Sequence, residues 1–191
     1  EEFKEKNRDV AFVDTPVLFK EYTTSSVIVM EYIDGYAIDD KEHLLEDGYD
    51  MNEIGSKYVD NFIKQVMDDG FFHADPHPGN VRIRDGKIVW IDMGMMGRLT
   101  ERDREQIAKA VEGVALNDIG TIQDAVLALG EFRGEPDPSQ LYKDIRGLMA
   151  KYGTADMGNI DVAEVLQDLM DVMKENKITM PHGLTMLARG L

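Results

Sequence analysis

The sequence contains no cysteine, no long hydrophobic run and no excess of positive charge. Without cysteine there is no disulfide framework, thiol nucleophile or thiolate metal site, which fits a reducing compartment. No apolar run approaches the roughly 18 residues that a transmembrane helix needs, and no signal peptide opens the chain. The net charge of −16 excludes a broad electrostatic surface for nucleic acid or anionic lipid. It leaves room for a nucleotide whose phosphates are neutralised by a metal ion.

The 191 residues, with 43% hydrophobic and 30% charged side chains, are typical of a globular protein with a sizeable core. Both ends of the chain look cut, because Glu1 begins in a charged segment and the last residues read as an apolar helix. We therefore expect a piece of a larger protein, located in the cytoplasm or at the surface of a membrane in its full-length parent.

The most informative stretch runs from Phe72 to Gly97 and contains a predicted β-hairpin. Asp85-Gly86 lies between two β-type runs, Val81–Arg84 and Lys87–Ile91, and this dipeptide is a strong signal for a two-residue turn. The turn folds the segment back on itself. We therefore expect the residue before the hairpin and the residue after it to lie close together.

Those two positions carry oxygen-bearing side chains, Asn80 and Asp92, and a further acid, Asp75, precedes them. Carboxylate and amide oxygens suit a hard cation such as Mg²⁺, and two protein ligands leave positions open for phosphate oxygens. Asp75 lies in a loop that two prolines make rigid, so it is the candidate to orient or deprotonate a hydroxyl or water. His77 is a second candidate catalytic residue, because it could donate a hydrogen bond to the phosphate that the cation binds.

Two other interpretations of this stretch remain open. Taken singly, Asp75, Asn80 and Asp92 are each more often turn formers than ligands, and His73 and His77 could be ordinary packed histidines, which is the preferred interpretation for His73. Alternatively, His73, Asp75 and His77 could together bind a transition metal. Pro76 and Pro78 argue against that site, because they disrupt the regular strand that its spacing requires.

The rest of the chain predicts a mixed α+β fold that is mostly α. Val17–Tyr22 and Val27–Tyr32 read as strands, the second apolar enough to be buried. Met51–Asp69 has a helical period and ends at Gly70, and helices follow after the hairpin. Thr100 is expected to cap the first of these, Asp161 a later one, and Pro181 to open the last.

The arrangement of Asp75, Asn80 and an Asp-x-Gly at Asp92 after a hairpin is the layout of the kinase catalytic and magnesium loops. The segment VIVMEYIDG before it resembles the last N-lobe strand and hinge of kinases, with Met30 as gatekeeper. By that resemblance the backbone of Glu31, Tyr32 and Ile33 would bind adenine.

His73-Ala74-Asp75-Pro76-His77-Pro78-Gly79-Asn80, with Ile91-Asp92-Met93-Gly94 after the hairpin, resembles the UbiB/ADCK (ABC1) family of atypical kinases. The resemblance spans roughly Pro16 to the end of the chain. It implies a protein-kinase-like C-lobe over residues 34–191, with residues 1–33 as remnant N-lobe strands and hinge. It also implies ATP or ADP with Mg²⁺, and support of ubiquinone or other isoprenoid quinone biosynthesis. Lipid or quinone precursors and quinone-biosynthesis proteins would then be partners.

The departures from typical kinases limit what this piece can do. Met93 stands where kinases have Phe, and Ala74 replaces the Arg that reads an activation-loop phosphate. The family's KxGQ motif, nucleotide loop and strand Lys would lie before Glu1, so the isolated piece is expected to be nearly inactive. It is also expected to self-associate through Val27–Met30, the strand that a missing N-lobe would expose.

Two alternative functions are compatible with the same residues. A small-molecule kinase of the aminoglycoside or choline type has a similar catalytic loop. A pseudokinase scaffold would bind nucleotide or a partner without turnover.

Overall fold

The computed structural model describes residues 1–132, 134–152 and 162–190, and about half of the chain is helical. The chain divides into two compact units, Glu1–Gly97 and Arg98–Arg189. The predicted α+β class is confirmed, whereas the kinase-lobe boundary at residue 33 stays a prediction.

The first unit carries a small sheet, two short helices and one longer helix. In chain order its elements are α1 (Glu2–Lys6), β1 (Val13–Asp14), β2 (Tyr36–Ala37), α2 (Lys41–Glu46), α3 (Met51–Ile63), a π-helical turn (Lys64–Asp68), β3 (Phe71–His73), β4 (Val81–Arg84), β5 (Lys87–Trp90) and β6 (Met96–Arg98). The sheet order is β1-β5-β4-β2, and β3 and β6 form a separate pair.

The β4–β5 hairpin follows the pattern that the sequence predicts. Val81 pairs with Trp90 and Arg84 with Lys87, so the two strands are in full antiparallel register. Asp85 and Gly86 have φ values of 52° and 72°, the left-handed conformation that a type I′ turn requires at both central residues. The hairpin begins directly after Asn80 and ends two residues before Asp92.

The core of this unit lies between the sheet and α3. Trp90, Ile83 and Leu44 are fully buried apolar side chains of this core, and Phe3 packs its ring edge-on against Trp90. Burial of such side chains is the main stabilising contribution in a small unit. The hairpin that carries the polar residues is therefore anchored by its own inward-facing side chains.

The predicted strands Val17–Tyr22 and Val27–Tyr32 are reduced to one isolated bridge between Leu18 and Met30, and Lys20–Tyr22 forms a 3₁₀ turn. Thr23 is the physical reason, because its hydroxyl accepts the Val29 N–H and donates to the Phe19 carbonyl, replacing regular backbone pairing.

The prediction that this second segment is buried is wrong. Val27 is 55% exposed and Ile28 is 71% exposed. The segment pairs with one irregular neighbour, and among the described residues its apolar side chains remain largely exposed.

The second unit contains α4 (Glu101–Leu116), α5 (Ile119–Leu129), β7 (Glu131–Phe132), α6 (Pro138–Tyr152), α7 (Val162–Glu175), β8 (Ile178–Thr179) and α8 (His182–Gly190). Thr100 caps α4 as predicted, in a capping box with Asp103. The short β7–β8 pair corrects the prediction of helices alone. Asp161 lies outside the described residues, and α8 starts just after Pro181 as expected.

An apolar cluster built around Ile122, Leu141, Ile145 and Ile178 forms the core of this second unit. In the part of the chain that the structure describes, no helix is long and apolar enough to cross a membrane.

Candidate active site

The loop from His73 to Asn80 connects β3 to the hairpin and is held by contacts at several points. The Tyr58 hydroxyl donates to the Pro76 carbonyl at 2.6 Å. Pro78–Asn80 forms a 3₁₀ turn in which the Gly79 N–H donates to His77 Nδ1 at 3.0 Å. A Cβ at Gly79 would lie 2.6 Å from the His77 ring, so glycine permits this fold of the loop.

The side chains of Asp75 and Asn80 are brought together inside this loop. Asn80 Nδ2 donates to the Asp75 carbonyl at 2.9 Å and to the Asp75 carboxylate at 3.3 Å. Asn80 is 8% exposed, whereas the Asp75 side chain is 45% exposed. Asp75 is therefore oriented on one side and open to solvent on the other, as a group that must meet a substrate needs to be.

The His77 side chain lies at the solvent edge of the same loop. Its Nε2 is 3.6 Å from Asp75 Oδ2, and its side chain is 56% exposed. Because Nδ1 accepts the Gly79 N–H, the neutral ring carries its proton on Nε2, facing the Asp75 carboxylate. His77 is thus placed next to Asp75, and its catalytic role stays a prediction.

His73 connects the loop to the residue after the hairpin. Its Nδ1 accepts the Asp75 N–H at 3.2 Å, so Nε2 carries the proton and donates to the Asp92 carbonyl. The ring is 1% exposed and stacks on Trp90 at a centroid distance of 4.9 Å. Burial lowers the pKa of His73 below its ordinary value, which keeps this neutral, bridging form.

Asp92 lies directly beyond the hairpin, where the Ile91 N–H donates to the Asn80 carbonyl at 3.0 Å. Asp92 Oδ1 accepts the Gly94 N–H at 2.7 Å, which turns the chain at the Asp-x-Gly motif. The hydrogen bond from Ile91 to Asn80 thus joins the two ends of the hairpin beside Asn80 and Asp92, the two candidate metal ligands.

The donor set at these two positions fits Mg²⁺. Asn80 uses its amide nitrogen to bond Asp75, and Asp92 uses one carboxylate oxygen, which leaves hard oxygen atoms on both side chains. Asp92 is exposed, so a cation there would keep positions for phosphate oxygens. The assignment of Asn80 and Asp92 as metal ligands stays a prediction.

The hydrogen bonds do not support a transition-metal site at His73, Asp75 and His77. Both ring nitrogens of His73 are engaged, one by the Asp75 N–H and one by the Asp92 carbonyl. Among the described residues no cluster of three or more His, Cys, Asp or Glu side chains is arranged to hold a metal ion.

The predicted hinge residues are tied to their surroundings through Glu31. Its N–H donates to the Val17 carbonyl at 2.8 Å and its carboxylate accepts the Val17 N–H at 3.0 Å. Arg84 of the hairpin donates to the same carboxylate at 2.7 Å. The Val17 N–H, followed by Arg84, lowers the pKa of Glu31. The Glu31 N–H is therefore not available to a nucleotide.

The other hinge residues differ in exposure. Met30 is 49% exposed, Tyr32 is 87% exposed and Ile33 is 8% exposed. The structure leaves the gatekeeper and Tyr32 side chains open, and Ile33 packs inward. The binding of adenine by this segment stays a prediction.

Several supporting residues were not identified from the sequence, namely Tyr58, Asn61, Gln65 and Trp90. A signal was present, because Ile54, Tyr58, Asn61 and Gln65 share one face of a helical period. Two amides on the face that packs inward indicate a buried polar network rather than a plain core.

An α+β fold with an Asp- and Asn-bearing loop, a hairpin and an Asp-x-Gly turn is consistent with a kinase-like domain. Residues 1–126 match the profile of the ABC1 atypical kinase-like domain. The chain belongs to the ABC1 atypical kinase-like family, as the resemblance to UbiB/ADCK proteins predicts.

The chain is also similar to individual proteins. A Clostridium pasteurianum protein, named as uncharacterized in the hydrogenase 1 5′ region, is 38% identical over 187 residues, covering 98% of this chain and 35% of its own length. Protein ACTIVITY OF BC1 COMPLEX KINASE 8, chloroplastic, of Arabidopsis thaliana is 35% identical over 131 residues, covering 67% of this chain and 17% of its own length. The chain thus spans about a third of the first of these relatives and less of the second.

Proposed function

We propose that this chain is the ATP- and Mg²⁺-binding portion of a kinase-like phosphotransferase or ATPase. The observation that carries the proposal is the position of His73 between the Asp75 N–H and the Asp92 carbonyl. One buried ring thereby links the loop with the candidate base to the turn with the candidate metal ligand.

The candidate residues have distinct tasks in the proposed reaction, and Asn80 has two. The Asp75 carboxylate accepts the proton of the attacking hydroxyl or water, and Asn80, which donates to that carboxylate at 3.3 Å, fixes its orientation. Asn80 Oδ1 and the Asp92 carboxylate hold Mg²⁺, which when bound supplies charge neutralisation at the phosphates. His77 Nε2 lies 3.6 Å from the Asp75 carboxylate, too far for a hydrogen bond, and it donates its proton to a phosphate oxygen instead.

The wider role follows the family. We propose that the full-length parent uses this site on a small or lipid-linked substrate in support of isoprenoid quinone biosynthesis. Arabidopsis relatives are named for activity of the BC1 complex, and this chain shares their domain. A cytoplasmic location, or attachment at a membrane surface, is part of the same proposal, as is binding of nucleotide without nucleic acid.

The test uses the full-length parent with two matched substitutions. Asp75→Asn keeps the size of the side chain and removes the base, and we expect turnover of ATP to fall about 10²- to 10⁴-fold. Asp85→Asn makes the same change of charge on the exposed turn at the other end of the hairpin. Because Asn tolerates the left-handed conformation there, this control should retain turnover.

Equal turnover in the two variants would contradict the assignment of Asp75. Phosphorylation of soluble alcohols by the parent would instead indicate a small-molecule kinase. Tight Mg²⁺-dependent ADP binding without turnover under any lipid condition would indicate a pseudokinase scaffold.

A further inference from the structure

A chain of buried amide side chains leads from the N-terminal helix to the catalytic loop. Asn61 Nδ2 donates to Asn7 Oδ1 at 2.7 Å, and Gln65 Nε2 donates to Asn61 Oδ1 at 2.8 Å. Gln65 Oε1 accepts the His73 N–H at 3.0 Å. Asn61 is 1% exposed and Gln65 is 0% exposed, so these bonds are shielded from water.

In this series of hydrogen bonds, the groups at the two ends determine which atom donates and which accepts. The Trp90 indole N–H can only donate, and it donates to Asn61 Oδ1 at 2.9 Å. That leaves Asn61 Oδ1 facing the Gln65 amide nitrogen, and so turns the Gln65 oxygen toward the His73 N–H. The His73 N–H can likewise only donate. Both ends therefore require the same orientation of Gln65, and a flipped amide would break two buried hydrogen bonds.

Gln65 is presented by an irregular piece of helix. The π-helical turn Lys64–Asp68 interrupts the α-helical pattern after α3, and the Asp69 N–H donates to the Lys64 carbonyl at 3.0 Å. Lys64 Nζ closes the turn by donating to the Asp69 carboxylate at 2.8 Å. π-Helical turns are rare in proteins, and many of those that do occur lie at functional sites. Here the turn directs an amide at the strand that opens the catalytic loop.

We propose that Gln65 is a positioning residue for the catalytic loop and acts through His73, with Asn61 holding Gln65 in place. Fixing the His73 backbone keeps its ring between the Asp75 N–H and the Asp92 carbonyl. Loss of the Gln65 oxygen leaves a buried N–H without its acceptor, and a polar group in that state is displaced toward a new partner. Only the catalytic consequence of this inference rests on the proposed function. The positioning of His73 by Gln65 does not depend on it.

The decisive substitution is Gln65→Met, which keeps length and volume and removes both hydrogen-bonding groups. Ile54→Val is a matched control for stability, because Ile54 is a buried apolar residue of the same helix. Gln123→Met is a matched control for chemistry, because it removes a side-chain amide that bonds the Pro138 carbonyl in the other unit.

The first measurement is made on this 191-residue chain by NMR and needs no turnover. The ¹⁵N shifts of the His73 ring report which nitrogen carries the proton, and amide exchange reports the His73 and Asp75 N–H groups. In Gln65→Met we expect exchange of both amides to rise about tenfold or more and the Nε2-protonated form to lose its dominance. Both controls should keep the native tautomer.

The second measurement is the turnover of ATP by the full-length parent. In Gln65→Met we expect kcat to fall about tenfold or more with KM for ATP nearly unchanged, because a misplaced base slows the chemical step. Ile54→Val should leave kcat near the native value.

The two measurements separate this inference from the proposed function. A native His73 tautomer and native amide exchange in Gln65→Met would overturn the positioning role, whatever the turnover. A shifted tautomer with unchanged kcat would overturn its catalytic part, provided that Asp75→Asn lowers kcat. If Asp75→Asn also leaves kcat unchanged, the proposed function fails, and the NMR result alone decides the role of Gln65.

Discussion

The two compact units use buried polar side chains differently. Among the described residues, Asn176 is the buried polar side chain of Arg98–Arg189, and it bonds the Val172 carbonyl within α7 and the Asp144 carboxylate. The buried polar side chains of Glu1–Gly97 are Asn7, Thr15, Asn61, Gln65, His73 and Asn80.

Most of this first group is connected to the candidate catalytic loop between His73 and Asn80. Burying a polar group is costly unless every hydrogen bond is made, so a connected set of them specifies one geometry. The buried polar side chains of the first unit therefore serve mainly to fix the geometry of one loop. The second unit buries mainly apolar side chains, in the cluster around Ile122, Leu141, Ile145 and Ile178.

The largest effect is expected in the apolar core of the second unit. Ile145→Ala removes a fully buried side chain beside Leu141, and we expect the free energy of unfolding to fall by about 2–5 kcal/mol. Urea denaturation measures this loss. The amides of His73 and Asp75 should exchange as in the native chain under native conditions. Faster exchange at the loop would break the distinction between the units.

A smaller effect separates two glycines of the first unit. A Cβ at Gly97 would overlap the ring of buried Phe72, so Gly97→Ala should cost about 1–3 kcal/mol of stability. Gly55 is helical with open space around it, so Gly55→Ala should raise stability by about 0.5–1 kcal/mol. Thermal unfolding measures both. Equal changes of the unfolding temperature in the two variants would contradict the close contact between Gly97 in β6 and Phe72 in β3.

The pH dependence of stability sharpens the role of His73. Burial lowers its pKa in the folded state, so the unfolded state takes up the proton first as the pH falls below about 6.5. The contribution of the neutral His73 ring to stability is complete above that pH and is lost as the pH falls toward the lowered pKa, by at most about 1.4 kcal/mol per pH unit.

Urea denaturation at a series of pH values should therefore show a shallower slope between pH 7 and pH 5 in His73→Gln than in the native chain. His182→Gln, which changes an exposed histidine, is the control and should keep the native slope. An unchanged slope in His73→Gln would show that the ring is not buried in its neutral form.

The smallest effect on stability is expected at the exposed segment Val27–Met30. We propose that Val27–Met30 mediates self-association, because Val27, Ile28 and Met30 are each about half exposed or more. Ile28→Lys should change the free energy of unfolding by less than about 0.5 kcal/mol and weaken association. Sedimentation at rising protein concentration measures the association, with Lys20→Glu as a charge control. A clean native monomer at high concentration would contradict the proposal.

The sequence predicts the hairpin and the α4 cap because both depend on local chemistry. The turn needs residues that accept left-handed backbone at positions 85 and 86, and the cap needs an oxygen at Thr100. Neither requires knowledge of distant contacts.

Helical periodicity places Asn61 and Gln65 on the inward face of the helix, but it does not predict which groups they bond. The bond between Gln65 and the His73 N–H depends on a π-helical turn, and helical periodicity cannot reveal an extra residue in one turn. The exposure of Val27 and Ile28 was missed for a different reason. An apolar strand looks the same in sequence whether or not a covering layer is present.

We propose above all that Asp92 holds the metal ion that brings a nucleotide to this loop. Calorimetric titration of ADP into the full-length parent, with and without Mg²⁺, tests it most directly. We predict that Mg²⁺ strengthens ADP binding in the native protein and in Asp85→Asn, and that Asp92→Asn abolishes the Mg²⁺ dependence. Retention of the full Mg²⁺ effect in Asp92→Asn would contradict the account.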